Sequence, residues 1–117
     1  MTRSQAAVKV DIDNGDAPTV RTVTRLLRRA GYKPLAMCVT RSPGGNGWHV
    51  VVHVSPRPKS PYEVIALQLL LGGDPNREAM QMHRARAFFK VPGWMRDMWN
   101  VLYLSHPHRS RRLEIPQ

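Results

Sequence analysis

The order of predicted secondary structure indicates an α+β domain in which helices cover one face of an antiparallel sheet. Short runs of alternating apolar and polar residues predict strands, stretches with apolar residues three and four apart predict helices, and Gly- or Pro-rich breaks separate them. The predicted order is strand, helix, two-stranded hairpin, paired helices and strand, or βαββαβ. We expect one domain over residues 1–105 and a basic C-terminal tail over residues 106–117, in which residues 106–112 form a mobile arm.

The first strand is predicted over residues 7–13, where Val8, Val10 and Ile12 alternate with polar residues. Asp11 and Asp13 are two positions apart, so a strand directs both carboxylates to the face that the helices leave open. Two neighbouring carboxylates suit a site for divalent metal ions. The alternative is a pair of solvated acids beside a turn.

A helix is predicted from Asp16 onward, with Pro18 in its first turn and Gly31 after its last. Its apolar residues recur at helical spacing from Val20 to Ala30. The opposite side carries four arginines, namely Arg21, Arg25, Arg28 and Arg29. This side is either a surface for a polyanion or an ordinary solvated face.

A hairpin is the strongest local prediction, with strands over 35–41 and 48–55 separated by Ser-Pro-Gly-Gly-Asn-Gly. It places His49 near the start of the later strand. If that strand lies beside the first one, Asp11, Asp13 and His49 converge on the open face, as a metal-dependent nucleotide site requires. The alternative is that His49 is an ordinary strand residue beside a turn.

The second half of the chain begins with a capping box at residues 60–63, in which Ser60 is the N-cap and Glu63 the third helical residue. The apolar helix that follows should end at residues 72–73. A second helix, capped by Asp74, is predicted to reach residue 89, and a last strand is predicted over 100–105.

The charge of the chain predicts a polyanionic partner. Eighteen Lys and Arg against eight Asp and Glu give a net charge of +10 and an isoelectric point near 11.1. Most of the cations are arginines, which bind phosphate in a bidentate manner, so nucleic acid is favoured over a membrane surface. Neither a signal peptide nor a membrane-spanning run is found in the sequence, which predicts a cytoplasmic protein. The candidate nucleic-acid-binding residues are Arg25, Arg28, Arg29, Arg41, Trp48, Arg57, Lys59, Arg84, Arg109, Arg111 and Arg112.

The segments 8–13 and 42–49 together resemble the first two motifs of the archaeo-eukaryotic primase and primase-polymerase superfamily. These motifs are a hydrophobic strand ending in Asp-x-Asp, and a Ser/Gly-rich hairpin ending in Gly-x-His. The resemblance implies an RRM-like, or ferredoxin-like, module in which Asp11, Asp13 and His49 are catalytic. It further implies that Asp11 and Asp13 hold Mg²⁺ or Mn²⁺ and that the nucleotide phosphates contact Ser42, Gly44, Gly45, Gly47 and His49.

The family's third motif, a hydrophobic residue followed by Asp on the last strand, has no counterpart in residues 100–104, and Asp97 precedes that strand. The first hypothesis is therefore a non-catalytic module that binds single-stranded nucleic acid during replication of a virus or plasmid. The second is a minimal primase or nucleotidyltransferase. The third is an interaction subunit that joins a second copy or a replication partner through Trp94, Met95, Met98 and Trp99.

Overall fold

The structure, a computed structural model, describes residues 6–12, 15–42, 47–87 and 111–116. It confirms the α+β class: the described strands form one antiparallel sheet in the order β1-β3-β2-β4. The elements are β1 (Ala6–Ile12), α1 (Val20–Arg29), β2 (Lys33–Arg41), β3 (Trp48–Ser55), α2 (Pro61–Leu70), α3 (Pro75–Ala87) and β4 (Arg111–Leu113).

The pairing of β1 with β3 confirms that the first strand and the later hairpin strand are neighbours. Among the described residues, β1 is an edge strand of the sheet. The strand predicted over 100–105 lies outside the described residues.

The prediction of a mobile arm is wrong at Arg111 and Arg112, because Arg111–Leu113 form β4 and pair with β2. The open edge of β2 has backbone donors and acceptors to satisfy, and even a basic segment can add a strand there.

The core lies between one face of the sheet and the helices α1 and α2. Alternate residues of the three long strands point into it, as the period of two predicts. Val23 and Leu27 of α1 and Ile65 of α2 are almost completely buried against them. The strand residues of this core are Val8, Val10, Met37, Val39, Val50, Val52 and Val54.

Helix α1 begins at Val20, two residues after the Pro18 that was predicted for its first turn, because Thr19 is the N-cap. The Thr19 side chain accepts a hydrogen bond from the Thr22 backbone N–H. At the other end, Gly31 has φ +90°. The Tyr32 N–H donates to the Leu27 carbonyl at 2.9 Å, so α1 ends in a Schellman motif for which glycine is the natural residue.

Helix α2 begins at the predicted capping box, where the Ser60 hydroxyl accepts from the Glu63 N–H at 3.3 Å. The Glu63 carboxylate does not complete the standard box on the Ser60 N–H. It accepts from the Lys59 N–H at 2.8 Å and from the Tyr32 hydroxyl at 3.0 Å, and thereby connects α2 to the end of α1.

Gly73 follows α2 at a point of very close approach. A Cβ there would lie 2.8 Å from the Gln68 carbonyl oxygen and 3.2 Å from a carboxylate oxygen of Glu78. Because Gly73 has no Cβ, the chain can pass this close to Gln68 and Glu78, and α3 packs against the end of α2. None of the three described helices has both the length and the apolarity needed to cross a membrane.

Candidate functional site

Asp11 and His49 occupy directly opposed positions on β1 and β3, and Thr40 of β2 is opposite His49 on the other side. Because side chains alternate along a strand, this row belongs to the face opposite the helix-covered core. Asp11 Oδ1 lies 3.6 Å from His49 Nε2. The predicted proximity of this acid and this imidazole is therefore confirmed, while Asp13 lies outside the described residues.

The surroundings of His49 differ from the prediction, because the residue is 5% exposed rather than open to solvent. Burial lowers the pKa of His49 below its usual 6.5; the Asp11 carboxylate opposes this shift and the nearby Arg77 guanidinium adds to it. The imidazole is therefore neutral at pH 7. Its Nδ1 atom is buried and has no hydrogen-bond partner among the residues that the structure describes.

The hairpin residues predicted to contact phosphate are only partly described, because Gly44 and Gly45 lie outside those residues. Ser42 and Gly47 close the hairpin. The Gly47 N–H donates to Ser42 Oγ and the Ser42 N–H donates to the Gly47 carbonyl, both at 3.0 Å. The Gly47 N–H is therefore bonded within the turn, and the phosphate contact predicted for Gly47 stays a prediction.

The described part of the chain contains no group of three His, Cys, Asp or Glu side chains that could hold a metal ion. At the predicted metal position, the described residues provide two candidate ligand groups: the Asp11 carboxylate and the neutral His49 imidazole. The Mg²⁺ or Mn²⁺ site implied by the resemblance is thus not formed by these two residues alone.

A buried polar network that the sequence analysis missed covers the outer edge of β1. The Lys9 N–H donates to Gln68 Oε1 at 2.8 Å, and its carbonyl accepts from Arg77 Nη1 at 3.0 Å. The Glu78 carboxylate accepts hydrogen bonds from both Gln68 and Arg77. The sequence signal for this network is that Gln68 interrupts the otherwise apolar stretch 64–71.

The network binds the edge of β1 through side chains. In an antiparallel strand the N–H and the carbonyl of one residue point to the same side, and at Lys9 both are bonded to helix side chains. Glu78 is 1% exposed, and burial raises its pKa, while the Arg77 guanidinium acts in the opposite direction. Arg77 and Glu78 thus compensate each other's charge at this edge.

The α1 arginine face consists of Arg21, Arg25, Arg28 and Arg29, and all four side chains are exposed. They lie opposite Val23 and Leu27, the residues that α1 buries in the core. No carboxylate of a described residue forms an ion pair with any of the four. The helix therefore presents one concentrated block of positive charge to solvent.

Trp48 lies at the end of the hairpin strands and supports a cation. The Arg41 guanidinium lies 4.5 Å from the centroid of the Trp48 indole ring. The indole Nε1–H of Trp48 donates to the Gly15 carbonyl at 3.3 Å. One face of the ring is therefore already occupied by Arg41, which is itself exposed.

The other predicted nucleic-acid-binding residues are scattered. Arg57 and Lys59 are exposed in the segment before α2, Arg84 is half-buried on α3, and Arg112 is exposed on β4. The structure describes the backbone of Arg111, in β4, but not its side chain. Arg109 and the apolar residues 94–99 of the interaction hypothesis lie outside the described residues.

A comparison of the chain with protein-family models finds no match. Comparisons with curated proteins and with solved structures also find none.

Proposed function

We propose that this chain binds single-stranded nucleic acid through the α1 arginine face. The observation that carries the proposal is that four exposed guanidiniums share one side of a helix with no ion pair to a described carboxylate, in a chain of net charge +10. Guanidinium forms bidentate, charge-assisted hydrogen bonds with phosphate oxygens.

Solubility alone is a weaker explanation of this face. Arg21 and Arg25 are four residues apart on α1, as are Arg25 and Arg29. Each such like-charge pair costs a helix about 0.2–0.5 kcal/mol, whereas a mixture of acids and bases keeps a surface soluble without that cost. A phosphate backbone removes the repulsion.

The preference for single strands is supported by Arg41 and Trp48. The exposed guanidinium of Arg41 lies over the indole of Trp48, with its central carbon 4.5 Å from the ring centroid. Unpaired bases stack on guanidinium planes and on aromatic rings, whereas bases inside a duplex are already stacked. The outer side of Arg41 is a place where one such base can stack.

An RRM-like topology is part of the proposal. It is supported by the order β1, α1, β2, β3, α2 and by the β1–β3 pairing. In that topology the last strand lies beside β1, and the strand predicted for this place, over 100–105, lies outside the described residues. At Lys9 the outer edge of β1 is bonded to Gln68 and Arg77, so such a strand has to avoid that position.

The test is the salt dependence of binding, measured by fluorescence anisotropy with a labelled single strand and a duplex of equal length. If each arginine of the face contacts one phosphate of a single strand, the face contributes about −2.8 to the slope of log affinity against log salt. The variant Arg25→Gln/Arg28→Gln should reduce the magnitude of that slope by about 1.4.

The matched control is Lys33→Gln/Arg86→Gln, which removes the same charge at exposed positions outside the α1 arginine face. We expect this control to change the slope by clearly less than the α1 variant does. Equal slopes for the two variants, or an affinity that is independent of salt, would contradict the proposal.

A second function, nucleotidyl transfer, is favoured by the 3.6 Å approach of Asp11 to His49. The described residues do not complete a metal site, so no catalytic step is assigned. Incubation with a template, nucleoside triphosphates and Mg²⁺ or Mn²⁺ tests this function directly. Primer synthesis that is lost in Asp11→Asn would establish an enzyme. If the wild type synthesises no primer, nucleic-acid binding remains as the proposed function.

A further inference from the structure

A groove of about 510 Å³ separates α1 from the segment that follows β4. Its volume is in the range of pockets that hold small ligands. It is lined by Val20, Arg21, Thr24, Arg25, Glu114 and Pro116.

The lining residues combine three kinds of chemistry. Val20 and Pro116 are apolar, Arg21 and Arg25 belong to the α1 arginine face, and Glu114 is an exposed acid. Glu114 forms no ion pair with either arginine. With respect to the part of the chain that the structure describes, its carboxylate is therefore available as a hydrogen-bond acceptor beside two cations.

A simple anion does not fit this set, because Glu114 would repel it. The complementary ligand has an anionic group for the two guanidiniums, an apolar surface for Val20 and Pro116, and a hydrogen-bond donor for the carboxylate. A nucleotide with a donor on its base meets all three requirements.

Among the bases, guanine is the best donor for a carboxylate. Its N1–H and its N2 amino group are adjacent and can bond to the two carboxylate oxygens together. Adenine and cytosine offer one amino group beside an acceptor, and thymine offers one N–H between two carbonyls. The N1–H and the N2 amino group are free together only when the base is unpaired.

We infer that this groove holds one unpaired guanine nucleotide of a bound strand, with Glu114 accepting from its N1–H and N2 amino group and with Arg21 and Arg25 at its phosphates. The inference rests on the proposed function, since the α1 arginine face supplies the phosphate contacts. Glu114 is then the residue that gives an otherwise sequence-tolerant surface a base preference.

The experiment compares four labelled oligonucleotides that are all thymidine except for one central position, which is dT, dG, deoxyinosine or dC. The wild type should bind the dG strand about tenfold more tightly than the all-dT strand, which is within the range of a bidentate base contact. Deoxyinosine, which lacks the N2 amino group, should fall between them.

Glu114→Gln should abolish the preference for dG and strengthen binding of the all-dT strand, because a negative charge beside the phosphates is removed. The matched control is Asp16→Asn, which neutralises another exposed acid and should retain the preference for dG. Circular dichroism of each variant establishes that it is folded.

The outcomes separate the inference from the function on which it rests. Salt-dependent binding of all four strands without a preference for dG, or an equal preference in the wild type and Glu114→Gln, overturns the guanine site and leaves the proposed function intact. No binding of any strand overturns both.

Discussion

Arginine occurs in two opposite environments in this molecule. Arg77 is largely buried and donates both to the Glu78 carboxylate and to the Lys9 carbonyl. The four members of the α1 arginine face are exposed and have no ion pair with a described carboxylate. The same side chain therefore stabilises the fold at one place and is solvated, without a described acidic partner, at the other.

The difference follows from the cost of burying charge. A guanidinium that leaves water must be compensated by an acid and by hydrogen bonds, so Arg77 is held within a network that includes Glu78 and Gln68. An exposed guanidinium has no such requirement, because water solvates it. Its position is then not fixed by a compensating acid, so the α1 arginine face rather than Arg77 is the candidate for the proposed binding.

Among the substitutions that test this comparison, we expect the largest effect at the buried ion pair of Arg77 and Glu78. Glu78→Ala should lower the free energy of unfolding by about 3 kcal/mol, because Arg77 and Gln68 lose their shared acceptor. Denaturant unfolding monitored by circular dichroism measures this loss. Glu114→Ala, at an exposed acid, should change stability by no more than about 0.5 kcal/mol. Similar values for the two variants would show that the network contributes little.

The pH dependence of stability tests the burial of His49. Its pKa is lowered in the folded protein, so the unfolded chain binds more protons below pH 6.5. Stability contributed by the neutral imidazole is therefore complete above pH 6.5 and is lost as the pH falls through the lowered pKa. Glu78, whose pKa is raised, acts in the opposite direction: the stability linked to its protonated form is lost as the pH rises above 4.5 through the raised pKa.

Comparison of the wild type with His49→Gln isolates the imidazole, because Glu78 is common to both. Unfolding free energies at pH 7.5, 6.5 and 5.5 should decrease more steeply toward acid in the wild type than in the variant. Parallel pH profiles would mean that the imidazole is solvated rather than buried.

The smallest effect is expected on the α1 arginine face in the absence of a ligand. Arg25→Gln should raise the free energy of unfolding by a few tenths of a kcal/mol, since Arg25 is four residues from both Arg21 and Arg29. High-precision thermal unfolding at low salt measures this, and the gain should disappear at 1 M salt. Destabilisation by more than about 0.5 kcal/mol would show that Arg25 has a structural partner.

Much of the local structure could be predicted because its signals are short in sequence. The strand over 48–55 has the predicted bounds, and Ser60 and Gly31 occupy the predicted capping positions. Each of these features depends on backbone conformation within a few residues. The proximity of Asp11 and His49 was also predictable, because the alternation of β1 and β3 leaves few pairings that bury the valines.

The network at the edge of β1 could not be predicted. Lys9 is 59 residues from Gln68 and 68 residues from Arg77 in sequence. No periodicity connects residues so far apart. The burial of His49 and the β4 strand were missed for a related reason, since both depend on which segments cover a given part of the sheet.

The sequence by itself determined the three long strands, the helices, the capping roles of Ser60 and Gly31 and the block of positive charge on α1, because these depend on alternation, helical spacing and local turn residues. Only the tertiary structure decided which charges are compensated. It paired Arg77 with Glu78, buried His49 beside Asp11 and left the α1 arginine face exposed. The physical reason is that desolvation, which selects paired or unpaired charge, depends on neighbours that are distant in sequence.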